Sequence, residues 1–189
     1  MTQETLILTG MSGAGRSTVA HALEDLGWYV VDNLPPSLLP ALVSKGTGPQ
    51  GKELAVVVDV RGGEFFDELT HALAELKDSK SEYQLVFLDA TDQSLVQRFE
   101  STRRPHTLQG KDRIVDGIAR ERVKLEDFRS QADVAIDTTN LNVHQLEKRI
   151  GEIFGSGKSQ GIRVNVLSFG YKYGIPVDAD LVLDCRFIP

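Results

Sequence analysis

Thr5–Gly27 reads TLILTGMSGAGRSTVAHALEDLG, and the eight residues in its middle decide the fold. Gly10, Gly15, Arg16 and Ser17 fill the pattern G-x-x-x-x-G-[KR]-S, with Met11, Ser12, Gly13 and Ala14 between them. The apolar run LILT precedes the pattern, and a helical period with Val19, Ala22, Leu23 and Leu26 on one face follows it. Strand, glycine-rich turn and helix in that order predict a phosphate-binding loop. The glycines allow successive backbone N–H groups to turn toward one anion, and the helix N-terminus adds partial positive charge at the same point. Ser17, at the helix start, offers a hydroxyl to a Mg²⁺ ion that bridges the terminal phosphates of a nucleotide. Arg16 stands where such loops carry lysine. A planar guanidinium prefers bidentate contacts to the single point contact of an ammonium, so the residue suits holding phosphate better than transferring it quickly.

The rest of the chain repeats the alternation. WYVVD (28–32), LAVVVDV (54–60), LVFLDA (85–90) and ADVAID (132–137) are short and almost continuously apolar, as strands covered on both faces are. Helical patterns lie between them, at Phe65–Leu76, Leu95–Phe99 and Val143–Phe154. This order predicts an α/β protein of the P-loop NTPase kind, with three α/β/α layers around a mostly parallel sheet. DNLPPSLLPALVSKGTGPQGK (32–52) is rich in proline and glycine and reads as loop, with a short helix over Leu38–Val43. GSGKSQG (155–161) reads as a linker between a nucleotide-binding domain at 1–154 and the beginning of a second α/β domain at 162–189. That second segment stops directly after the apolar run LVLDCRFI, as though cut within a domain. GSGKS also contains Gly-Lys-Ser, but it follows a helix and lacks the upstream glycine, so it is not a second phosphate loop.

Composition narrows the classes. A chain of 189 residues with 41% hydrophobic residues can bury a core without staples. Its net charge of −6 and pI near 5.2 argue against a nucleic-acid surface spread over the whole chain. Cys185 is the one cysteine, so no disulfide framework exists and a reducing cytoplasm fits. MTQETLILTG lacks a basic region before its apolar run, and no segment approaches the ~18 uninterrupted apolar residues of a membrane span. The expectation is a cytoplasmic protein without a membrane segment. His21, His71, His106 and His144 are scattered and show no metal-ligand spacing.

Asp32, Asp59, Asp89 and Asp137 each close an apolar run. In a parallel sheet those ends gather on the edge where ligands bind. VVVDVRG (56–62) stands out, because apolar residues followed by Asp59 match the Walker-B pattern, in which a carboxylate completes a Mg²⁺ shell or orients water. Arg61 follows closely enough to reach a phosphate or a base. Arg16 and Asp59 are therefore the expected catalytic pair, with Ser17 and Asp59 at the metal. Arg98, Arg103, Arg104, Lys111, Arg113, Arg120 and Arg122 crowd one segment, which reads as a cationic lid over the phosphates.

GMSGAGRST, LEDLGWYVVDNLPPSLLP, VVVDVRGGEF, FLDATDQSLVQRFESTRRPHTLQG, IDTTNLNVHQL and VLSFGYKYGIPVDADLVLDCRF together resemble the RapZ-type RNase adapter family of P-loop nucleotide-binding proteins. The resemblance runs over essentially the whole chain, and DNLPP and SFGYKYG are not features of generic kinases. It implies an N-terminal domain that binds ATP and GTP with Mg²⁺ and hydrolyses them slowly. It also implies a C-terminal domain that, in some members, binds a regulatory RNA and a sugar phosphate and presents the RNA to a ribonuclease. Nucleotide contacts carry over to Gly10, Met11, Ser12, Gly13, Ala14, Gly15, Arg16 and Ser17. A second segment, assigned to GTP in the family, carries over to Asp59, Val60, Arg61 and Gly62. RNA binding is not expected of this length of chain. Nothing in the pattern speaks against a homo-oligomer.

Two other readings stand beside a slow ATPase and GTPase. One is a small-molecule or nucleotide kinase with Asp32 in the acceptor pocket. The other is an interaction module that binds nucleotide without turnover. No N-K-x-D guanine-reading motif occurs, so base preference has no motif to rest on.

Overall fold

The structure is a computed structural model that describes residues 5–59, 63–102, 108, 112–155, 169–170 and 182–184. The chain divides into two compact units, Met1–Lys158 and Ser159–Pro189. Every element below lies in the first. Most of 155–189, including the expected linker after Gly155, falls outside the described residues.

Five strands form one sheet: β1 (Thr5–Gly10), β2 (Tyr29–Val31), β3 (Leu54–Val57), β4 (Tyr83–Asp89) and β5 (Val134–Asp137). Their order is β2-β3-β1-β4-β5, and every neighbouring pair is parallel. β1 lies in the middle, with Ile7 opposite Val56 on one side and Leu85 on the other, and all six of its residues are buried. That placement accounts for its unbroken apolar run, since a strand flanked on both edges and covered on both faces has no solvent side.

The helices are α1 (Arg16–Asp25), α2 (Leu39–Val43), α3 (Gly63–Asp78), α4 (Asp92–Thr102), α5 (Ile114–Gln131) and α6 (Val143–Phe154). From β1 the chain steps outward past β3 to β2, and from β3 it steps back past β1 to β4. Right-handed crossovers in opposite directions put α1 and α3 on opposite faces, which makes the three layers. α1 packs beside α6, α2 beside α3 and α4 beside α5. The reversal of direction also leaves a crevice at the carboxyl ends of β1 and β3, where ligands of open α/β sheets bind. The core fills both sides of the sheet with Leu6, Leu8, Val56, Phe87, Leu88, Leu23, Leu69 and Leu95 among its fully or almost fully buried members. Among the described residues, no helix is long and apolar enough to cross a membrane.

The strands fall where the apolar runs place them. α5 is the element the sequence shows least clearly, being an 18-residue helix with charged side chains along much of its length.

Candidate functional site

The glycine-rich loop occupies the turn from β1 to α1, and its backbone explains its glycines. Gly10 sits at φ 146°, and a Cβ there would lie 2.2 Å from the Leu88 carbonyl oxygen of β4. Only glycine allows β1 to run that close to its neighbour while bending into the loop. The Met11 amide donates to the same Leu88 oxygen at 2.9 Å, and the Ala14 amide to Met11 O at 3.0 Å, which closes the turn. Gly15, the N-cap of α1, is left-handed at φ 104°. Among the described residues no hydrogen bond engages the amides of Gly13, Gly15, Arg16, Ser17 or Thr18. The first turn of a helix has no internal acceptors for its N–H groups, so these are the donors an anion would take.

Arg16 does not reach out from the loop. Its side chain is buried to 8% exposure, and it donates to Asp59 Oδ1 at 3.1 Å and to Val58 O at 3.4 Å. The guanidinium thus lies across the end of β3, held by the fork geometry a lysine lacks. Arg16, Ser17, Asp32, Asn33, Val57 and Asp59 line one cleft of about 310 Å³. Asn33, at φ 55°, is left-handed, a conformation asparagine tolerates better than most residues and one that gathers at ligand sites. The structure therefore brings Arg16, Ser17, Asp32 and Asp59 together beside the loop. Val60, Arg61 and Gly62 lie outside the described residues.

The other two strand-end carboxylates have structural partners. Asp89 accepts from Arg122 and from Arg129, each at 2.9 Å, and also takes the Ala90 amide at 2.8 Å. Asp137 accepts from the Thr139 amide at 2.8 Å. Hydrogen bonds from the Thr139 hydroxyl and then its backbone N–H hold the Asp137 carboxyl below the usual carboxylate range.

The arginines of the expected lid are largely committed to the scaffold where they are described. Arg122 bridges Asp89, Asp92 and the Ala90 carbonyl and so fixes α5 to the start of α4. Burial pulls its pKa down, but the bonds to Asp89 and Asp92 outweigh that and leave it above its ordinary value. Arg120 binds the Leu108 carbonyl and Asp112, and Arg113 pairs with Asp116. Arg98 donates to Gly13 O at 3.0 Å and grips the hydroxyl and carbonyl of Thr138. Burial lowers its pKa, against a raising pull from Asp137. Arg103, Arg104 and Lys111 lie outside the described residues.

One residue of the loop's surroundings escapes a reading by motif. Glu121, on α5, is 2% exposed, and its carboxylate accepts the Ser12 hydroxyl at 2.6 Å and the Ser12 amide at 3.1 and 3.2 Å. A carboxylate thus anchors the third loop residue from the far side. The signal in the sequence is its position. Ile118, Glu121, Leu125 and Phe128 follow the 3–4–3 spacing of a buried helical stripe, and a glutamate there demands a partner.

Among the described residues no group of three or more His, Cys, Asp or Glu side chains is placed to hold a metal ion. The donor set beside the loop consists of oxygens, from Ser17, Asp32 and Asp59. That suits Mg²⁺, which takes one or two protein oxygens and completes its shell with water and phosphate.

The loop and the parallel sheet around it define a P-loop α/β protein with a kinase-like fold. The chain belongs to the RapZ-like family: the model of the RapZ-like N-terminal domain matches residues 3–158, and that of the RapZ C-terminal domain matches residues 162–189. It is 56% identical over 188 residues to a nucleotide-binding protein of Streptomyces griseus subsp. griseus, covering 98% of this chain and 57% of the relative. A nucleotide-binding protein of Thermobifida fusca is 53% identical over 188 residues, covering 98% of this chain and 64% of the relative. The chain thus spans about three fifths of the length of these relatives. Among solved structures, it is similar to the Deinococcus radiodurans tunicamycin resistance protein, with TM-score 0.56 and 20% identity over 80% of this chain and 96% of that one. It is also similar to shikimate kinase from Acinetobacter baumannii, with TM-score 0.53 and 18% identity over 84% of this chain and 97% of that one. At such identity these two show a shared fold and nothing more.

Proposed function

We propose that the chain binds ATP and GTP through Gly10–Ser17 and hydrolyses them slowly, as the nucleotide-sensing module of a longer RNase-adapter-like protein in the cytoplasm. The observation that carries this is the row of unengaged amides at Gly13, Gly15, Arg16, Ser17 and Thr18 at the start of α1. A helix start with several amides lacking acceptors favours a phosphate both by hydrogen bonds and by the helix dipole. The nucleotide-binding description of the relatives supports the same reading.

Slow turnover follows from how the charges are spent. Arg16 and Asp59, the pair that would act on the terminal phosphate, are bound to one another. Each therefore meets phosphate or a metal shell with part of its charge already neutralised by the other. Ser17 and Asp59 would hold Mg²⁺, which when bound neutralises phosphate charge. Val60, Arg61 and Gly62 extend the proposed nucleotide contact beyond Asp59. The parts of the family relatives that this chain does not span would bring a regulatory RNA and a ribonuclease as partners, and self-association belongs to the same proposal.

A kinase reading has one observation in its favour: Asp32 and Asn33 share a cleft with Arg16, Ser17 and Asp59, where an acceptor hydroxyl would face the terminal phosphate. Incubation with ATP and a panel of sugars, acids and nucleosides separates the two, since phosphorylated product marks a kinase and free phosphate alone marks an NTPase. The test of the loop itself is titration calorimetry of Mg-ATP and Mg-GTP against wild type and Ser17→Ala and Gly15→Val variants, with thermal melts to confirm folding. Equal binding by all three folded proteins would remove the loop from the site.

A further inference from the structure

The glycine-rich loop is held by side chains that come much later in the chain, from α4, α5 and the turn after β5. Ser12, Gly13 and Ala14 are successive residues, and each has its own contact. The Ser12 amide donates to Glu121 of α5, Gly13 O accepts from Arg98 of α4 at 3.0 Å, and Ala14 O accepts from the Thr138 hydroxyl at 2.9 Å. Thr138 directly follows β5, and both it and Ala14 are 0% exposed. No backbone amide among the described residues donates to Ala14 O, so the hydroxyl is what satisfies this buried carbonyl.

The hydroxyl has one proton and two carbonyls near it, Ala14 O at 2.9 Å and Asp89 O at 3.1 Å. Asp89 O already accepts the Thr138 amide at 2.8 Å, and Arg98 Nη1 donates to the hydroxyl oxygen at 3.0 Å. The proton therefore goes to Ala14 O, the nearer carbonyl and the one no backbone amide serves. A peptide group is planar and trans, so its C=O and N–H point opposite ways. Holding Ala14 O against Thr138 thus turns the Gly15 N–H away from Thr138. The preceding peptide is spent at both ends, with Gly13 O on Arg98 and the Ala14 N–H on Met11 O at 3.0 Å. The Ala14–Gly15 peptide is spent at its oxygen, and its N–H belongs to the row of unengaged amides at the start of α1.

We infer that Thr138 is a positioning residue for phosphate binding that acts through the Ala14–Gly15 peptide: its hydroxyl holds the carbonyl back so that the Gly15 N–H is presented to the anion. This rests on the nucleotide-binding reading above. The glycine makes the hold necessary. Gly15 sits at φ 104°, a conformation that favours glycine, but glycine adopts either sign of φ, and its own backbone does not stop the peptide from turning over. A turned peptide aims a carbonyl oxygen at the phosphate in place of an N–H, and attraction becomes repulsion. Thr138 lies 124 positions from Ala14, so no loop motif includes it.

The test is titration calorimetry of the whole chain with Mg-tripolyphosphate, Mg-ATP and Mg-GTP, on wild type, Thr138→Val and Thr138→Ser, with thermal melts to confirm folding. Valine keeps the shape of threonine without the hydroxyl, and serine keeps the hydroxyl. Thr138→Val should bind all three ligands about tenfold more weakly, as the loss of one hydrogen bond to a charged group requires, and Thr138→Ser should stay within about threefold of wild type. A second readout needs no variant: in ¹⁵N-glycine-labelled wild type, saturating Mg-tripolyphosphate should move the Gly15 amide proton downfield, and in Thr138→Val that shift should be lost. A folded Thr138→Val that binds as wild type does, a serine variant as weak as the valine one, or a loss confined to ATP and GTP would overturn the inference. Wild type that binds all three ligands with the Gly15 amide unmoved would overturn it alone. Wild type that binds none of them would remove the nucleotide-binding reading together with it.

Discussion

Glu121→Ala should unfold this protein more readily than any change to an exposed charge. Ser12 is 4% exposed and Glu121 2% exposed, so truncating the carboxylate leaves the Ser12 amide and hydroxyl buried with no acceptor among the bonds they now make. Each buried polar group left unsatisfied costs about 1–3 kcal/mol, and the emptied side-chain volume adds to it. A total of about 3–5 kcal/mol matches what breaking a buried charged contact costs elsewhere. In a chain of this size each kcal/mol lowers the melting temperature by about 2–4 °C, so a drop of roughly 10 °C is expected. Glu121→Gln keeps Oε1 as an acceptor and should cost only about 1–2 kcal/mol. Urea unfolding followed by circular dichroism measures both, and a cycle with Ser12→Ala isolates the pair, with a coupling of about 1–3 kcal/mol expected. A Glu121→Ala protein within about 0.5 kcal/mol of wild type, or a Gln variant as damaged as Ala, would refute the view that α5 anchors the loop through this carboxylate.

Three other outcomes follow from particular contacts. Gly10→Ala places a methyl group against the Leu88 carbonyl and demands φ 146° of an L-residue; β1 and β4 must part, and a loss of about 3 kcal/mol or more, or failure to express in soluble form, is expected. Arg16→Lys gives up the fork that binds Asp59 and Val58 O and frees a compact charge for phosphate, so phosphate release from ATP or GTP should rise about tenfold, the effect of ~1.4 kcal/mol at the barrier. Because the Asp137 carboxyl is held below its ordinary range by Thr139, its contribution to stability is complete above about pH 4 and is lost as pH falls through the depressed folded value. Asp137→Asn should therefore be less stable than wild type at pH 7, with the gap narrowing as pH falls below the ordinary carboxylate range, as urea midpoints across that range would show.

Much of this protein was readable one residue at a time. Glycine spacing between a strand and a helix located the loop at Gly10–Ser17, because backbone conformations open only to glycine are a local requirement. Unbroken apolar runs marked the five strands and their parallel pairing, because a strand covered on both faces has no place for a polar side chain. Asp59 was legible beside the loop for the same reason: it ends such a run. The length of α5 was not, since its charged residues blur the apolar stripe of Ile118, Leu125 and Phe128. Partnership between distant residues was hidden altogether. Arg16 meets Asp59 across 43 positions and Ser12 meets Glu121 across 109. Asp89 matched Asp59 in its place at a strand end, yet it is spent on Arg122 and Arg129. Local pattern reports which backbone shape a segment favours and which face it buries. Which carboxylate receives which cation depends on the order of strands in the sheet, and that order is settled only when the crossovers close around the core and bring remote segments within hydrogen-bonding distance.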